Sequence, residues 1–168
     1  TGTPAQLTSG ITIPAAAIAD LQTCDLLLLI AGFNLDARAT PQLCASLRRL
    51  APRCSLMAGI DGGSWIMARA GLLDGHTATT HWEDLENFAT TFPNVTILPH
   101  RFVISDKFLT TGGASPCIDM MLDLIKTRFG PDLATRVAGA FIYDPVDQTD
   151  RPQSRVATPP PVRKHPRL

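Results

Sequence analysis

The sequence predicts an α/β domain with a largely parallel sheet. Three observations carry that expectation. Two apolar runs of strand length, DLLLLIAGF (25–33) and SLMAGI (55–60), are uniform enough for strands covered on both faces. Helical patterns follow each of them, so strands and helices alternate along the chain. Glycine-bearing junctions, DGGS (61–64) and TTGGASP (110–116), join strands to helices at points where α/β proteins form clefts.

The elements follow in order. SGITI reads as a short extended piece and residues 15–22 as a short helix. After the first long strand comes a helix over 41–50, with Pro41 suited to its first turn. The strand at 55–60 turns into a short helix over 63–71, rich in small residues that allow close approach to a sheet. HTATT (76–80) is extended, and Trp82 to Thr91 forms a helix ended by Pro93. VTIL (95–98) and RFVIS (101–105) flank a turn, and KFLTTGG (107–113) is a strand running into glycines. Ser115 caps a helix from Pro116 to Phe129, and Pro131 opens another that reaches Phe141.

A chain of 168 residues suits one domain and a tail. All fifteen acids and ten of the fifteen bases lie in residues 1–150, whereas residues 151–168 hold five bases and no acid. The body is therefore acidic, which argues against nucleic-acid binding by the body itself. Six of the fourteen prolines fall in 144–168, so that stretch reads as a basic, proline-rich linker without a core. No apolar run has membrane-spanning length, and the N-terminus lacks the basic start of a signal peptide. The four cysteines show no CxxC spacing and read as scattered, reduced thiols of a cytoplasmic protein. His76 and His81 lack a third ligand at a diagnostic spacing, so neither a metal nor another cofactor is expected.

The candidate site starts at Asp61. A buried strand turning sharply into a helix presents its turn residue to a cleft, and the flanking glycines permit the tight backbone. Cysteine or serine there would be a nucleophile; aspartate instead offers a negative charge that the helix dipole stabilises. Asp61 also suits a plain N-cap, so both readings stand. In TTHWEDLENF, Thr80 and Glu83 have capping-box spacing, and His81 and Trp82 lie between a strand and a helix. Trp65 and Trp82 are core residues or, beside Asp61, faces for an organic cation. Gly113, Ala114 and Ser115 present free backbone N–H groups to an anion, or else Ser115 simply caps its helix. Asp119 and Asp123 read as a solvated helix face, with Lys126 offsetting Asp123; a part for these acids in orienting His81 is the other reading.

Three segments together resemble one family: GGSWIMARAGLLDGHTATTHWED, FPNVTILPHRFVISDKFLTTGGASPCIDMMLDLIKTRFG and LATRVAGAFI. Their order is similar to that in the ThiJ/PfpI-like, class I glutamine amidotransferase-like sensor domains of AraC-family, GlxA-type transcription regulators. The acidic elbow resembles the regulators of arginine, carnitine and glycine betaine catabolism. The resemblance implies a flavodoxin-like three-layer sandwich over 1–143, with a linker over 144–168 toward a helix-turn-helix domain that is absent from this chain. It also implies a strand–helix–strand segment ahead of SGITI. Without it, apolar sheet surface is left open, which predicts self-association, as a homodimer, or marginal stability. Enzymes of the superfamily carry cysteine where this chain has Asp61, so amidotransferase or hydrolase chemistry is not expected. The function implied is non-catalytic sensing of a small cationic metabolite by Asp61, Gly62, Trp65, His81, Trp82, Gly113, Ala114 and Ser115. Two alternatives stay open: a hydrolase or lyase using His81 and Asp61 as acid and base, or a dimerisation module without a ligand.

Overall fold

The computed structural model describes residues 4–6, 9–145 and 152–153. A small antiparallel pair, β1 (Ala5–Gln6) and β2 (Thr12–Ile13), precedes the main sheet. The helix expected over 15–22 shrinks to one 3₁₀ turn, Ile18–Asp20. Arg49 donates to the carbonyls of Ile18 and Leu21, the first of which also accepts the turn's own bond from the Leu21 N–H. Then come β3 (Cys24–Ala31), α1 (Leu35–Arg38), α2 (Pro41–Leu50), β4 (Cys54–Asp61) and α3 (Gly63–Arg69). β5 (Thr77–Ala78), α4 (Leu85–Thr91) and β6 (Thr96–Ile97) form a side unit in which the two strands pair in parallel. β7 (Phe102–Ser105), β8 (Phe108–Thr111), α5 (Ala114–Phe129) and α6 (Pro131–Ala140) follow.

The main sheet has the order β3-β4-β8-β7. β3, β4 and β8 run parallel, and β7 is the antiparallel partner of β8. Alternate residues of β4 serve two cores. Met57 faces a cluster with Leu47 and Leu50 of α2, Trp65 and Met67 of α3, and Phe88 of α4. Ala58 and Ile60 face the opposite cluster with Leu109 of β8 and Met120 of α5. Helices thus cover both faces, giving the expected three layers. Local chemistry agrees at α2: the Thr40 side chain accepts from the Leu43 N–H at 3.2 Å, and Pro41 takes the first turn. Gly59 explains how α3 lies so close to β4. A Cβ there would meet the Ser64 nitrogen at 2.7 Å.

The reading of 25–33 as a strand buried on both faces is corrected. No residue of β3 is fully buried, and Leu28 and Ile30 are 41% and 71% exposed. The cause is position: among the described residues, β3 is an edge strand with β4 as its one sheet neighbour. Its other face, through Leu27 and Leu29, packs on the core. The cysteines are also less scattered than their spacing suggests. The in-register pairing of β3 with β4 brings the Sγ atoms of Cys24 and Cys54 to 3.0 Å. Burial, together with the Cys24 contact, pushes the Cys54 thiol up to about 11. The linker reading for 144–168 falls mostly outside the described residues; within it, Pro152 bridges to His100.

Candidate functional site

The carboxyl ends of β3 and β4 open into a cleft of about 800 Å³. Such strand ends are where open parallel sheets bind ligands. Asp61, Trp65 and His81 line it together, with Gly32, Phe33, Asn34, Leu35, Asp36, Glu83, Asp84 and Asn87. The elbow is built differently from the sequence expectation. Asp61 itself takes the left-handed conformation, with φ at 54°, a region that aspartate tolerates better than most residues. The glycines supply room instead of the turn. A Cβ on Gly63 would fall 1.9 Å from the Leu29 carbonyl oxygen, and one on Gly62 would collide with Leu35. The Gly62 N–H donates to the Ala31 carbonyl at 2.7 Å, and Ser64 Oγ donates to the Asp61 carbonyl at 3.0 Å.

The Asp61 side chain does not cap α3. The cap position is Gly62, and no side chain caps the helix. The carboxyl is half-buried beside the cleft, and burial raises its pKa above the ordinary carboxylate range. The nearby His81 pulls that value back down, while Asp84 adds to the rise. His81 Nδ1 lies 3.7 Å from Glu83 Oε2. Glu83 does not close a capping box: α4 starts at Leu85, after Asp84, and Thr80 Oγ1 is buried with no hydrogen-bond partner among the described residues. The expected helix start at Trp82 is therefore a turn, which leaves Glu83 and Asp84 at the cleft.

The two tryptophans separate. Trp65 is buried edge-on against Phe88 and Phe92, at 5.1 and 5.4 Å between ring centroids, and only its margin reaches the cleft. Trp82 is 46% exposed with its ring 5.8 Å from that of His81, and it is not among the lining residues. Phe33, 88% exposed, is the open aromatic of the lining. Gly62 lies buried under the elbow. Gly113 lies behind His81, a Cβ on it falling 4.0 Å from the imidazole Cδ2, and Ala114 and Ser115 lie outside the lining.

Ser115 is not the cap of α5 either. The helix begins at Ala114 after Gly113, and Ser115 Oγ accepts from Arg101 Nη2 at 2.9 Å. Asp119 is not on a solvated face. Its side chain is wholly buried, pairs with Arg101 at 2.6 Å and accepts from the Tyr143 hydroxyl at 2.8 Å. Burial, reinforced by that bond, raises the pKa of Tyr143. This network ties α5 to the strand ends and to the chain after α6; it does not orient His81.

The sequence reading missed Phe33, Asn34, Asp36, Asp84 and Asn87. The signal available was position: AGFN follows a strand of a parallel sheet, and its loop therefore opens on the carboxyl edge. Among the described residues, the lining carries four carboxylates (Asp36, Asp61, Glu83, Asp84) and no lysine or arginine. Asp36 is paired with Arg69 at the exposed rim. No helix among the described residues is long and apolar enough to cross a membrane.

A profile of the DJ-1/PfpI family matches residues 2–127. The HTH-type transcriptional regulator CdhR of Pseudomonas aeruginosa is 36% identical over 159 residues, covering 94% of this chain and 47% of that protein. The HTH-type transcriptional regulator GlxA of Rhizobium meliloti is 31% identical over 162 residues, covering 95% of this chain and 50% of that protein. A crystal structure of an AraC family transcriptional regulator from Pseudomonas putida shares the fold at a TM-score of 0.70. Its identity is 24%, over 84% of this chain and 77% of that one. This chain thus spans about half the length of the curated relatives it matches. Its family profile and its layered parallel sheet agree: the chain belongs to the DJ-1/PfpI family.

Proposed function

We propose that this chain is the ligand-sensing domain of an AraC-type transcription regulator, binding a small cationic metabolite without turning it over. The carrying observation is the charge of the cleft, which four carboxylates line without a lysine or arginine among the described residues. Asp61 contributes to that charge from a half-buried position, where a positive group would regain the solvation the carboxylate has lost. Phe33 offers an open ring face at the same cleft, worth roughly 0.5–2 kcal/mol to an organic cation. The relatives CdhR and GlxA are transcriptional regulators of about twice this length, which supports the regulatory half of the reading. DNA contact would belong to a separate domain, and a cytoplasmic homodimer is the expected state.

The volume suits molecules of the size of arginine, carnitine or glycine betaine. Thermal melting in the presence of each tests the proposal. A ligand at 100 times its dissociation constant stabilises by about 2.7 kcal/mol, a readable shift. The shift should fall with added salt, since the attraction is between charges. Stabilisation by an anionic compound of similar size and by none of the cations would overturn the reading.

A further inference from the structure

Behind the cleft, the chain after α6 returns to the strand ends. Pro152 forms an antiparallel bridge with His100, and the Gln153 N–H donates to the Pro99 carbonyl at 3.1 Å. The Gln153 side chain then places its Nε2 in a socket, among three acceptors. Its Nε2 lies 2.8 Å from Thr79 Oγ1, 2.7 Å from the Thr80 carbonyl and 2.9 Å from the His100 carbonyl. Thr79 Oγ1 is free to accept because its own proton goes to the His100 carbonyl, at 2.9 Å. Gly112 leaves room for the Gln153 amide in this position. A Cβ there would fall 2.0 Å from Gln153 Oε1 and 2.4 Å from Nε2.

Both walls of this socket continue directly into the site. The Thr80 peptide carries His81, and Gly112 precedes Gly113, which packs behind the His81 ring. We infer that Gln153 is a positioning residue for the cleft: its amide, donating into the Thr79–Thr80–His100 socket, holds the His81 and Gly113 peptides in place. Ligand occupancy and docking of the 152–153 segment are then two readouts of one equilibrium. Coupling is reciprocal, so a ligand that fixes His81 also tightens the docking. This coupling rests on the sensing reading; the positioning of His81 does not.

The test compares the full chain with Gln153→Ala and Gln153→Glu. Glutamate fills the same space but presents a carboxylate to three acceptor oxygens. A space-filling role ranks Glu with wild type and above Ala; a donor role ranks Glu at or below Ala. In amide NMR spectra, both variants should shift His81 and Gly113 while Leu47 and Leu50 stay in place, and Glu should shift them at least as far as Ala. Trypsin should cut after Arg155 about tenfold faster in the glutamate variant, the loss of one charge-free hydrogen bond or slightly more. Unmoved His81 and Gly113 signals, or a glutamate variant that matches wild type, overturn the positioning role. Glycine betaine serves as the probe for coupling. If it binds by calorimetry, it should slow cleavage after Arg155 in wild type and not in Gln153→Ala; bound probe with unchanged cleavage overturns the coupling. Absence of binding by glycine betaine, arginine and carnitine counts against the sensing reading and the coupling built on it, while the apo spectra still decide the positioning role.

Discussion

At the residue scale, Asp61 carries an energetic signature that a cap or a surface acid would lack. Its folded-state pKa is raised, mainly by burial. The folded protein therefore holds the proton more tightly than the unfolded chain, and stability falls as pH rises through the interval between the two pKa values. Below the unfolded value, the penalty is absent. Asp61→Asn should thus melt above wild type at neutral pH, and the difference should close below about pH 3, where both states are protonated. Differential scanning calorimetry across pH reads this directly; a variant that melts lower at neutral pH contradicts the assignment. Substitution at Asp119 should lower stability. Its carboxylate is wholly buried and held by Arg101 and Tyr143. Asp119→Ala should lose about 3 kcal/mol in urea denaturation, because Arg101 is left with its main partner gone. A loss under about 1 kcal/mol would place the network's stabilising weight elsewhere.

At the element scale, the legible features were those that a short window of sequence determines. β4, β8, α2 and α5 were readable because apolar runs, Pro41 and the glycine junctions act locally. What escaped depends on neighbours distant in sequence. Nothing in DLLLLIAGF says whether it is central or at an edge, and only the pairing shows Ile30 in the open. Asp119 and Asp123 have the spacing of a solvated face, but Arg101, eighteen positions upstream of Asp119, is what makes burial of Asp119 tolerable. At the site, Asp61 and His81 were visible as residues at strand-to-helix junctions. The acid rim and Phe33 were not, since they join the cleft through adjacency of β3 and β4. Two predictions belong here. Gly63→Ala should cost about 3 kcal/mol, because the new methyl meets the backbone carbonyl of Leu29 in β3. Ile30→Lys should change stability by no more than about 0.5 kcal/mol while reducing self-association in sedimentation velocity. Unaltered sedimentation would show that the exposed β3 face is not an association surface.

At the scale of the whole molecule, two asymmetries meet at the cleft. The first is charge: the body is acidic, and carboxylates gather at the one cleft formed by the β3 and β4 ends. The second is connectivity: the segment after α6 docks by Gln153 on the strand ends that also hold His81. A cation entering the cleft would be drawn by the field of the rim and held by Asp61 at the strained elbow. The central claim is that this pairing at Asp61 is the recognition event. Paired calorimetric titrations of wild type and Asp61→Asn with arginine, carnitine and glycine betaine test it most directly. Wild type should bind at least one of them saturably, and the folded asparagine variant should bind it about tenfold or more weakly. Equal affinity of the two proteins for every cation tested would contradict it.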